Sequence, residues 1–269
     1  MQETKAVEQF PEGVTLARAG GVAEITLDRP ADMNRLLPDV LARLHALVER
    51  LREDAATHAV VITGGGEQYF SMGILNPAIR ASFSKEQIIE LVMLANRVFD
   101  AVEALPQIVI AAINGRVLAG AVELALACDI RYCAAHATLQ MPEAAWGGFP
   151  GAGAPVRLPA LVGRARALEL ICATREIGAQ EMERYGIVQG VYPGAEFRDS
   201  VRAIAQRIAQ NGPLATRGAK KIANARLAPG FQHSRELSDS LRRALEWSAD
   251  VDEAMAAQAQ GRKPVFHGH

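Results

Sequence analysis

Apolar and polar positions follow two different periods along the chain, and these periods predict its elements. Residues Val22–Leu27 alternate between apolar and polar, and residues 59–63 and Ile108–Ile113 are short apolar runs; each stretch has strand length and is followed by turn residues. Stripes at helical spacing lie between these runs, at residues 38–51 and 84–103. The second stripe follows a serine with a glutamine three places on, which is the capping-box pattern. The alternation of strands and helices predicts an α/β core.

The second part of the chain has a mainly helical pattern. A glycine turn near Gly120 predicts a helix to about Cys128, and residues 129–140 have an extended pattern. From about residue 163 onward the helical spacing dominates. We predict helices over residues 164–172, 179–185, 198–210, 213–227 and 234–257. No linker or low-complexity segment separates the two parts.

Composition and charge narrow the class of protein. The 269 residues are 49% hydrophobic and carry a net charge of −1, so a sizeable core is expected and binding to nucleic acid is not. No uncharged apolar run reaches the roughly 18 residues of a membrane span, and the polar N-terminus does not resemble a signal peptide. Three cysteines without metal-ligand spacing favour a reduced compartment. We therefore expect a cytoplasmic protein without a membrane partner.

Two glutamates are the strongest candidates for catalysis. Glu123 and Glu143 each lie beside glycines in stretches that are otherwise apolar. Buried carboxyl groups are rare unless they are paired or functional, and burial raises their pKa towards neutral pH, where they serve as acids or bases. Two such groups could hold one water molecule between them.

Each candidate segment also allows a purely structural interpretation. Glu123 could be an ordinary first-turn acid stabilised by the dipole of its helix, or it could accompany an oxyanion hole formed by the free N–H groups there. Glu143 could belong to an ion-paired surface turn. The glycine-rich segment at residues 64–73 could donate N–H groups to a ligand or form a simple turn, and it lacks the ending of a P-loop.

Other catalytic classes find little support in the sequence. The six histidines form no metal-ligand pattern, so no metal site is expected. Ser71 lacks the glycine spacing of a hydrolase nucleophile elbow. The basic cluster at residues 262–264 is too short to bind nucleic acid and is interpreted as a solvated tail or a phosphate contact.

Taken together, five stretches resemble the enoyl-CoA hydratase/isomerase (crotonase) superfamily. Residues 25–34 resemble its first strand and the loop near the CoA adenine, and residues 69–73 resemble its first oxyanion loop. The most specific match is residues 112–129, followed by the Pro-Glu and Pro-Gly-x-Gly stretch at 141–158. Residues 261–266 resemble the C-terminal signature. The order and spacing of these stretches carry the resemblance from about Val14 to Phe266.

The resemblance implies a fold and an assembly. It implies a spiral of ββα units with a helical trimerisation region, and hence a homotrimer or a dimer of trimers. On this basis we divide the chain into a core with the CoA-thioester site at residues 1–195 and a helical oligomerisation region at residues 196–269. The implied ligand is an acyl-CoA thioester. Coenzyme A would then be part of the substrate, and no further cofactor is expected.

The resemblance also implies roles for individual residues. Glu123 would help to activate a water for addition at C3 of a 2-enoyl-CoA, and Glu143 would deliver the proton to C2. The N–H groups of Met72 and Gly120 would form the oxyanion hole, and Gly151 would help to place the water. The residues expected at the CoA and acyl pocket are Asp32, Asn34, Ser71, Gly73, Ile74 and Trp146.

Departures from the family pattern keep several functions open. Met72 and Leu75 are unusual in the first oxyanion loop, and Trp146 is bulky beside the site. The leading hypothesis is a hydratase, a hydro-lyase without a cofactor. An isomerase that uses Glu143 as its base is the first alternative, and a hydrolase or decarboxylase of the same fold is less favoured. A non-catalytic binder of CoA thioesters is the alternative from a different class.

Overall fold

The computed structural model describes residues 6–227 and 231–265. Its strands are β1 (Ala6–Phe10), β2 (Val14–Ala19), β3 (Val22–Leu27), β4 (Ala59–Gly64), β5 (Tyr69–Ser71), β6 (Ile108–Ile113), β7 (Arg116–Leu118), β8 (Ile130–Ala134), β9 (Thr138–Gln140), β10 (Ile177–Gly178) and β11 (Val191–Tyr192). Its α-helices are α1 (Pro38–Arg52), α2 (Pro77–Arg80), α3 (Lys85–Glu103), α4 (Gly120–Ala127), α5 (Ala154–Val162), α6 (Arg164–Cys172), α7 (Ala179–Arg184), α8 (Gly194–Ala209), α9 (Pro213–Leu227), α10 (Phe231–Leu245) and α11 (Ala249–Ala259).

The described strands form two sheets that the chain visits in turn. The larger sheet has the order β1-β2-β3-β4-β6-β8-β11 and is parallel from β3 onward. The smaller sheet has the order β10-β9-β7-β5, with β5, β7 and β9 parallel. Each turn of the chain adds one strand to each sheet before it continues, as β4 then β5 and β6 then β7 do. This arrangement is the spiral that the resemblance implied, and it confirms the α/β fold class.

The predicted elements of the first part of the chain are confirmed. The predicted strand at 59–63 is β4, and the predicted helix at 38–51 is α1. The capping box at the start of α3 is present, because Ser84 Oγ accepts the Gln87 N–H and the Gln87 side chain accepts the Ser84 N–H. The extended pattern over 129–140 corresponds to β8 and β9.

In the helical second part, α8 begins at Gly194 and not at residue 198, and two further differences from the prediction have a local cause. The single helix expected over 234–257 is divided into α10 and α11, because Ser248 caps a new helix by accepting the Val251 N–H. Helix α5 was not predicted, because Pro155 and Pro159 obscure its pattern. Pro155 lies in the first turn, where its missing N–H costs nothing.

The main core lies between the larger sheet and helices α1, α3 and α4. All eight residues of α4 are buried, which is unusual for a helix that begins with a glycine and carries a glutamate. None of the described helices is long and apolar enough to cross a membrane. The division of the chain at residue 195 and the trimerisation region remain predictions. Phe266 of the C-terminal signature, together with His267 and His269, lies outside the described residues.

Candidate active site

An open cavity lies at the N-terminal end of α4. Its volume is about 810 Å³, counting the solvent at its mouth. Its walls come from the loop after β5, from α2 and α3, from the turn after β9, and from α10 and α11. Both candidate glutamates, Glu123 and Glu143, line it. Most of the other lining residues are apolar, namely Ile74, Leu75, Pro77, Val92, Ala119, Ala145, Trp146, Phe149, Ala152, Ala254, Met255 and Pro264.

Glu123 is held rigidly in the first turn of α4. Its side chain is buried, and its Oε1 accepts the N–H groups of Ala152 (2.7 Å) and Ala154 (3.0 Å). Arg157 fixes this loop from behind, because its Nη1 donates to the Ala152 carbonyl at 3.2 Å. Hydrogen bonds from N–H groups stabilise the ionised form of a carboxyl group. One oxygen of Glu123 is thus anchored, while the side chain also forms part of the cavity wall.

Glu143 occupies a short 3-10 turn (Glu143–Trp146) directly after β9. The turn is closed by the Gly148 N–H, which donates to the Glu143 carbonyl at 2.9 Å. The Glu143 residue is only partly buried, but its Oε2 atom is inaccessible and has no hydrogen-bond partner among the described residues. A buried carboxyl oxygen without a partner favours the protonated, uncharged state. The two glutamates therefore lie in different environments.

The two carboxyl groups have raised pKa values for related reasons. Burial raises the pKa of Glu123 to about 7, against the opposing effect of the Ala154 and Ala152 N–H groups and of Arg157. Burial and then the charge of Glu123 raise the pKa of Glu143 to about 8. Since the groups influence each other, they titrate as a pair. The N–H groups that donate to Glu123 favour its ionised form, and the Oε2 of Glu143, which is unpartnered among the described residues, favours its protonated form.

The raised pKa values predict a pH-dependent stability. A carboxyl group whose pKa is higher in the folded state stabilises the fold at low pH, and this contribution is lost as the pH rises through the folded pKa, here about 7 to 8. We expect Glu143→Gln to raise the Tm above that of wild type by about 4 °C or more at a pH of about 9, and to change it little at a pH of about 5. Thermal melts at both pH values measure this difference. Equal curves at the higher pH would refute the buried-carboxyl account, and exposed Glu90→Gln is the control.

Backbone N–H groups at the start of α4 form a second feature of the cavity. The Gly120 N–H has no acceptor among the described residues, because it belongs to the first turn of the helix. Ala119, just before it, has the left-handed φ of 53° that is uncommon outside glycine. Such backbone strain is concentrated at functional sites. The Gly120 N–H is therefore available to a ligand in the cavity.

The expectation for Met72 is corrected by the structure. Its N–H donates to the Met33 carbonyl at 3.0 Å, so it is not available to a ligand. The available donor of this loop is Ile74, which lines the cavity and whose N–H has no acceptor among the described residues. Gly73 (φ 74°) permits this arrangement, since a Cβ there would lie 2.5 Å from the Leu118 carbonyl oxygen.

Two of the expected pocket residues have structural partners instead. Asn34 is buried, and its Nδ2 donates to the carbonyls of Gly65 (2.9 Å) and Tyr69 (2.8 Å). Ser71 is also buried, and its Oγ accepts the Gly73 N–H at 3.1 Å. Neither side chain lines the cavity, because each satisfies backbone groups of the glycine-rich loops. Both residues shape the site from behind, and the expectation that their side chains line the pocket is wrong.

The remaining expected residues have different positions. Ile74 and Trp146 line the cavity as predicted. Gly151 lies just behind its wall, and its carbonyl accepts Asn96 Nδ2 at 3.0 Å. Asp32 is exposed on the turn after β3, where it pairs with Arg29 at 2.5 Å. The contact between Asp32 and CoA remains a prediction.

Three charged residues at or beside the cavity could not be predicted from the sequence. Arg80 from α2 and Arg242 from α10 both line it. Glu246, immediately after α10, is fully buried and pairs with both guanidinium groups. No local pattern signals this cluster, because its members come from segments more than 160 residues apart. Among the described residues, no group of three or more His, Cys, Asp or Glu side chains could hold a metal ion.

Comparison with known proteins agrees with this fold. The family model described as enoyl-CoA hydratase/isomerase matches residues 17–269. A crotonyl-CoA hydratase from Syntrophomonas wolfei is 33% identical over 255 residues, which are 95% of this chain and 98% of that protein. A short-chain-enoyl-CoA hydratase from Clostridium acetobutylicum is 35% identical over 214 residues, 78% of this chain and 80% of that protein. The crystal structure of an enoyl-CoA hydratase from Bacillus anthracis has a TM-score of 0.77 and 36% identity, with 96% of this chain and all of that chain covered.

The two-sheet spiral and these matches thus define an enzyme with the crotonase fold. The chain belongs to the enoyl-CoA hydratase/isomerase family. The residues matched by the family model include the segments that contain Gly120, Glu123 and Glu143.

Proposed function

We propose that this protein is an enoyl-CoA hydratase, which adds water across the 2,3 double bond of a 2-enoyl-CoA thioester. The observation that carries the proposal is the pair of carboxyl groups in one cavity, one anchored by N–H groups and the other with an oxygen that lacks a partner. Hydration requires a base for the attacking water and an acid for the adjacent carbon. A site with a single carboxyl group would not provide both.

The environments of the two groups support distinct roles. Glu123 keeps a fixed orientation through its bonds to Ala152 and Ala154 and is the more readily ionised group. It therefore accepts a proton from the water that attacks C3. Glu143, whose buried Oε2 has no partner in the described part of the chain and whose pKa is raised by burial, carries a proton and delivers it to C2. The proton that Glu123 accepted from water then passes to Glu143, so the pair returns to its starting state. Gly151, next to Ala152, would help to place the water.

The oxyanion hole in this proposal consists of the N–H groups of Ile74 and Gly120. Negative charge develops on the thioester oxygen as the water adds to C3, and donors fixed in advance lower the barrier. A Cβ on Gly120 would lie 2.6 Å from Ile74 Cδ1, so these two residues are immediate neighbours. The dipole of α4 adds to the stabilisation of an anion at this position.

Gly120→Pro tests this role against a matched variant. Proline fits the first position of a helix and removes only an N–H that the helix does not use. Gly120→Ala adds a comparable clash with Ile74 but keeps the N–H. We expect kcat for Gly120→Pro to be about 10²- to 10³-fold below that of Gly120→Ala. Equal kcat values for the two variants would remove Gly120 from the oxyanion hole.

The proposed reaction needs no cofactor beyond the CoA of the substrate itself. Acid, base and oxyanion donors all come from this chain, and they complete the addition of water without a change of oxidation state. We expect the activity to survive dialysis against a metal chelator. Loss of activity that a metal ion restores would contradict this part of the proposal.

We also propose a homotrimer or a dimer of such trimers. Helix α9 leaves Leu214 83% and Ile222 74% exposed in the isolated chain. Large apolar side chains exposed to this degree on one helix favour a contact between subunits. Light scattering measures the mass in solution, and a monomer would contradict the proposal.

A further inference from the structure

The cluster of Arg80, Arg242 and Glu246 has an excess of positive charge at the cavity wall. Arg242 Nη1 lies 2.8 Å from one Glu246 oxygen, and Arg80 pairs with the other. The side chains are 14% exposed for Arg80, 7% for Arg242 and 0% for Glu246. Two guanidinium groups therefore share one carboxylate. Their other N–H groups have no acceptor among the described residues.

The ionised Glu123 does not balance this excess, because it accepts the Ala152 and Ala154 N–H groups and interacts with the charges of Arg157 and Arg235. Arg262, the third arginine of the lining, has its own partner, since both Nη atoms bind Glu253. Glu143 is uncharged when it carries the proton that the proposed hydration requires. A buried charge without a partner is costly unless a ligand satisfies it. The cluster thus suits an anionic group in the ligand.

The position of the cluster suggests that the anionic group belongs to the acyl part of the ligand. The Arg242 stem packs on Gly151, because a Cβ there would lie 2.9 Å from Arg242 Cδ. Gly151 directly precedes Ala152, whose N–H binds Glu123. The surrounding walls are apolar, with Leu75, Val92 and Phe149 among them. Apolar walls suit an acyl chain better than the polar, bulky CoA moiety, so in the proposed binding mode the acyl chain lies along them and CoA at the open mouth.

We propose that the preferred substrate carries a terminal carboxylate on its acyl chain, held by Arg80 and Arg242. The inference rests on the proposed hydratase function and specifies its substrate class, a 2-enoyl-CoA derived from a short dicarboxylic acid. Guanidinium groups suit this role, since they donate two parallel hydrogen bonds to a carboxylate. The reaction is unchanged: water supplies the hydroxyl group at C3 and the hydrogen at C2, and the distal carboxylate only binds.

The test compares two thioesters of nearly equal shape. Glutaconyl-CoA ends in a carboxylate, and 5-methylhex-2-enoyl-CoA replaces it with an uncharged branched end. We expect wild type to prefer glutaconyl-CoA in kcat/KM by about 10- to 100-fold, which is the range of a charged hydrogen-bonded contact. Preference for the uncharged thioester would overturn this inference and leave the hydratase proposal intact. Turnover of neither thioester, nor of crotonyl-CoA, would instead count against the hydratase proposal.

Variants of the cluster must shift this preference in opposite directions. Arg80→Met leaves Arg242 and Glu246 as a balanced pair, so the ratio of the two kcat/KM values falls about 10-fold. Glu246→Gln frees both guanidinium groups, so the ratio rises. Arg97→Met is the matched control, because Arg97 is exposed on α3 and its loss changes the net charge equally. An unchanged ratio in both cluster variants would refute the inference. So would an Arg80→Met variant that loses affinity for free CoA and both thioesters alike.

Discussion

Glu143→Gln lowers the kcat for crotonyl-CoA hydration by about 10²- to 10⁴-fold, the range that general acid catalysis contributes. Glutamine has nearly the shape of glutamic acid but has no acidic proton to deliver to C2. Burial and the nearby charge of Glu123 keep the wild-type pKa high, so that the proton is present near neutral pH. Steady-state rates with purified wild type and variant measure the effect.

The control for this prediction is Glu90→Gln, at an exposed position on α3. It should retain wild-type kcat. Thermal stabilisation by a saturating CoA thioester should persist in Glu143→Gln, because binding stabilises the folded state without requiring catalysis. Normal turnover in Glu143→Gln would eliminate Glu143 as the acid. Loss of both turnover and ligand stabilisation would show that the substitution disrupts the site as a whole.

Glu123→Gln also reduces hydration by about 10²- to 10⁴-fold, for the opposite reason. The variant keeps an oxygen that can accept the Ala152 and Ala154 N–H groups, so the loop retains its geometry. It lacks the negative charge that accepts a proton from water. Rates with crotonyl-CoA and with but-3-enoyl-CoA, assayed in parallel, distinguish hydration from movement of the double bond.

The outcome with but-3-enoyl-CoA decides between two functions of the same fold. Isomerisation that survives in Glu123→Gln while hydration is lost would identify a dual enzyme in which Glu143 alone moves the proton. Hydration that survives at the wild-type rate would remove Glu123 from the mechanism. Glu123→Ala is a structural control, since it leaves the two buried N–H groups without an acceptor and should cost about 1–3 kcal/mol of stability.

Local patterns predicted the elements of this fold better than its site. The apolar stripe and the capping box defined α3 almost to the residue, because both signals lie within one helix. The division between α10 and α11 depends on Ser248, a single cap within a long helical pattern. The spiral of ββα units followed from the family resemblance and not from local patterns, since strand pairing joins residues that are distant in sequence.

The sequence predicted the site residues best where catalysis requires a residue type that is unusual in its surroundings. Glu123 and Glu143 were conspicuous as acids in apolar segments, and both line the cavity. Asn34 and Ser71 were misleading, because polar side chains in or beside glycine-rich loops also satisfy the backbone. The error at Met72 has a similar origin, since the Met33 carbonyl that accepts its N–H lies in a different loop.

The most direct test of the central claim is the reaction of the wild-type protein with crotonyl-CoA. Loss of the enoyl absorbance, together with a product heavier by one water and hydroxylated at C3, is the result that a hydratase predicts. Unchanged absorbance and mass, with protein that is nevertheless stabilised by the thioester, would contradict hydration of this substrate and favour a binder. Glutaconyl-CoA in the same assay shows whether an acyl carboxylate is required before that conclusion is drawn.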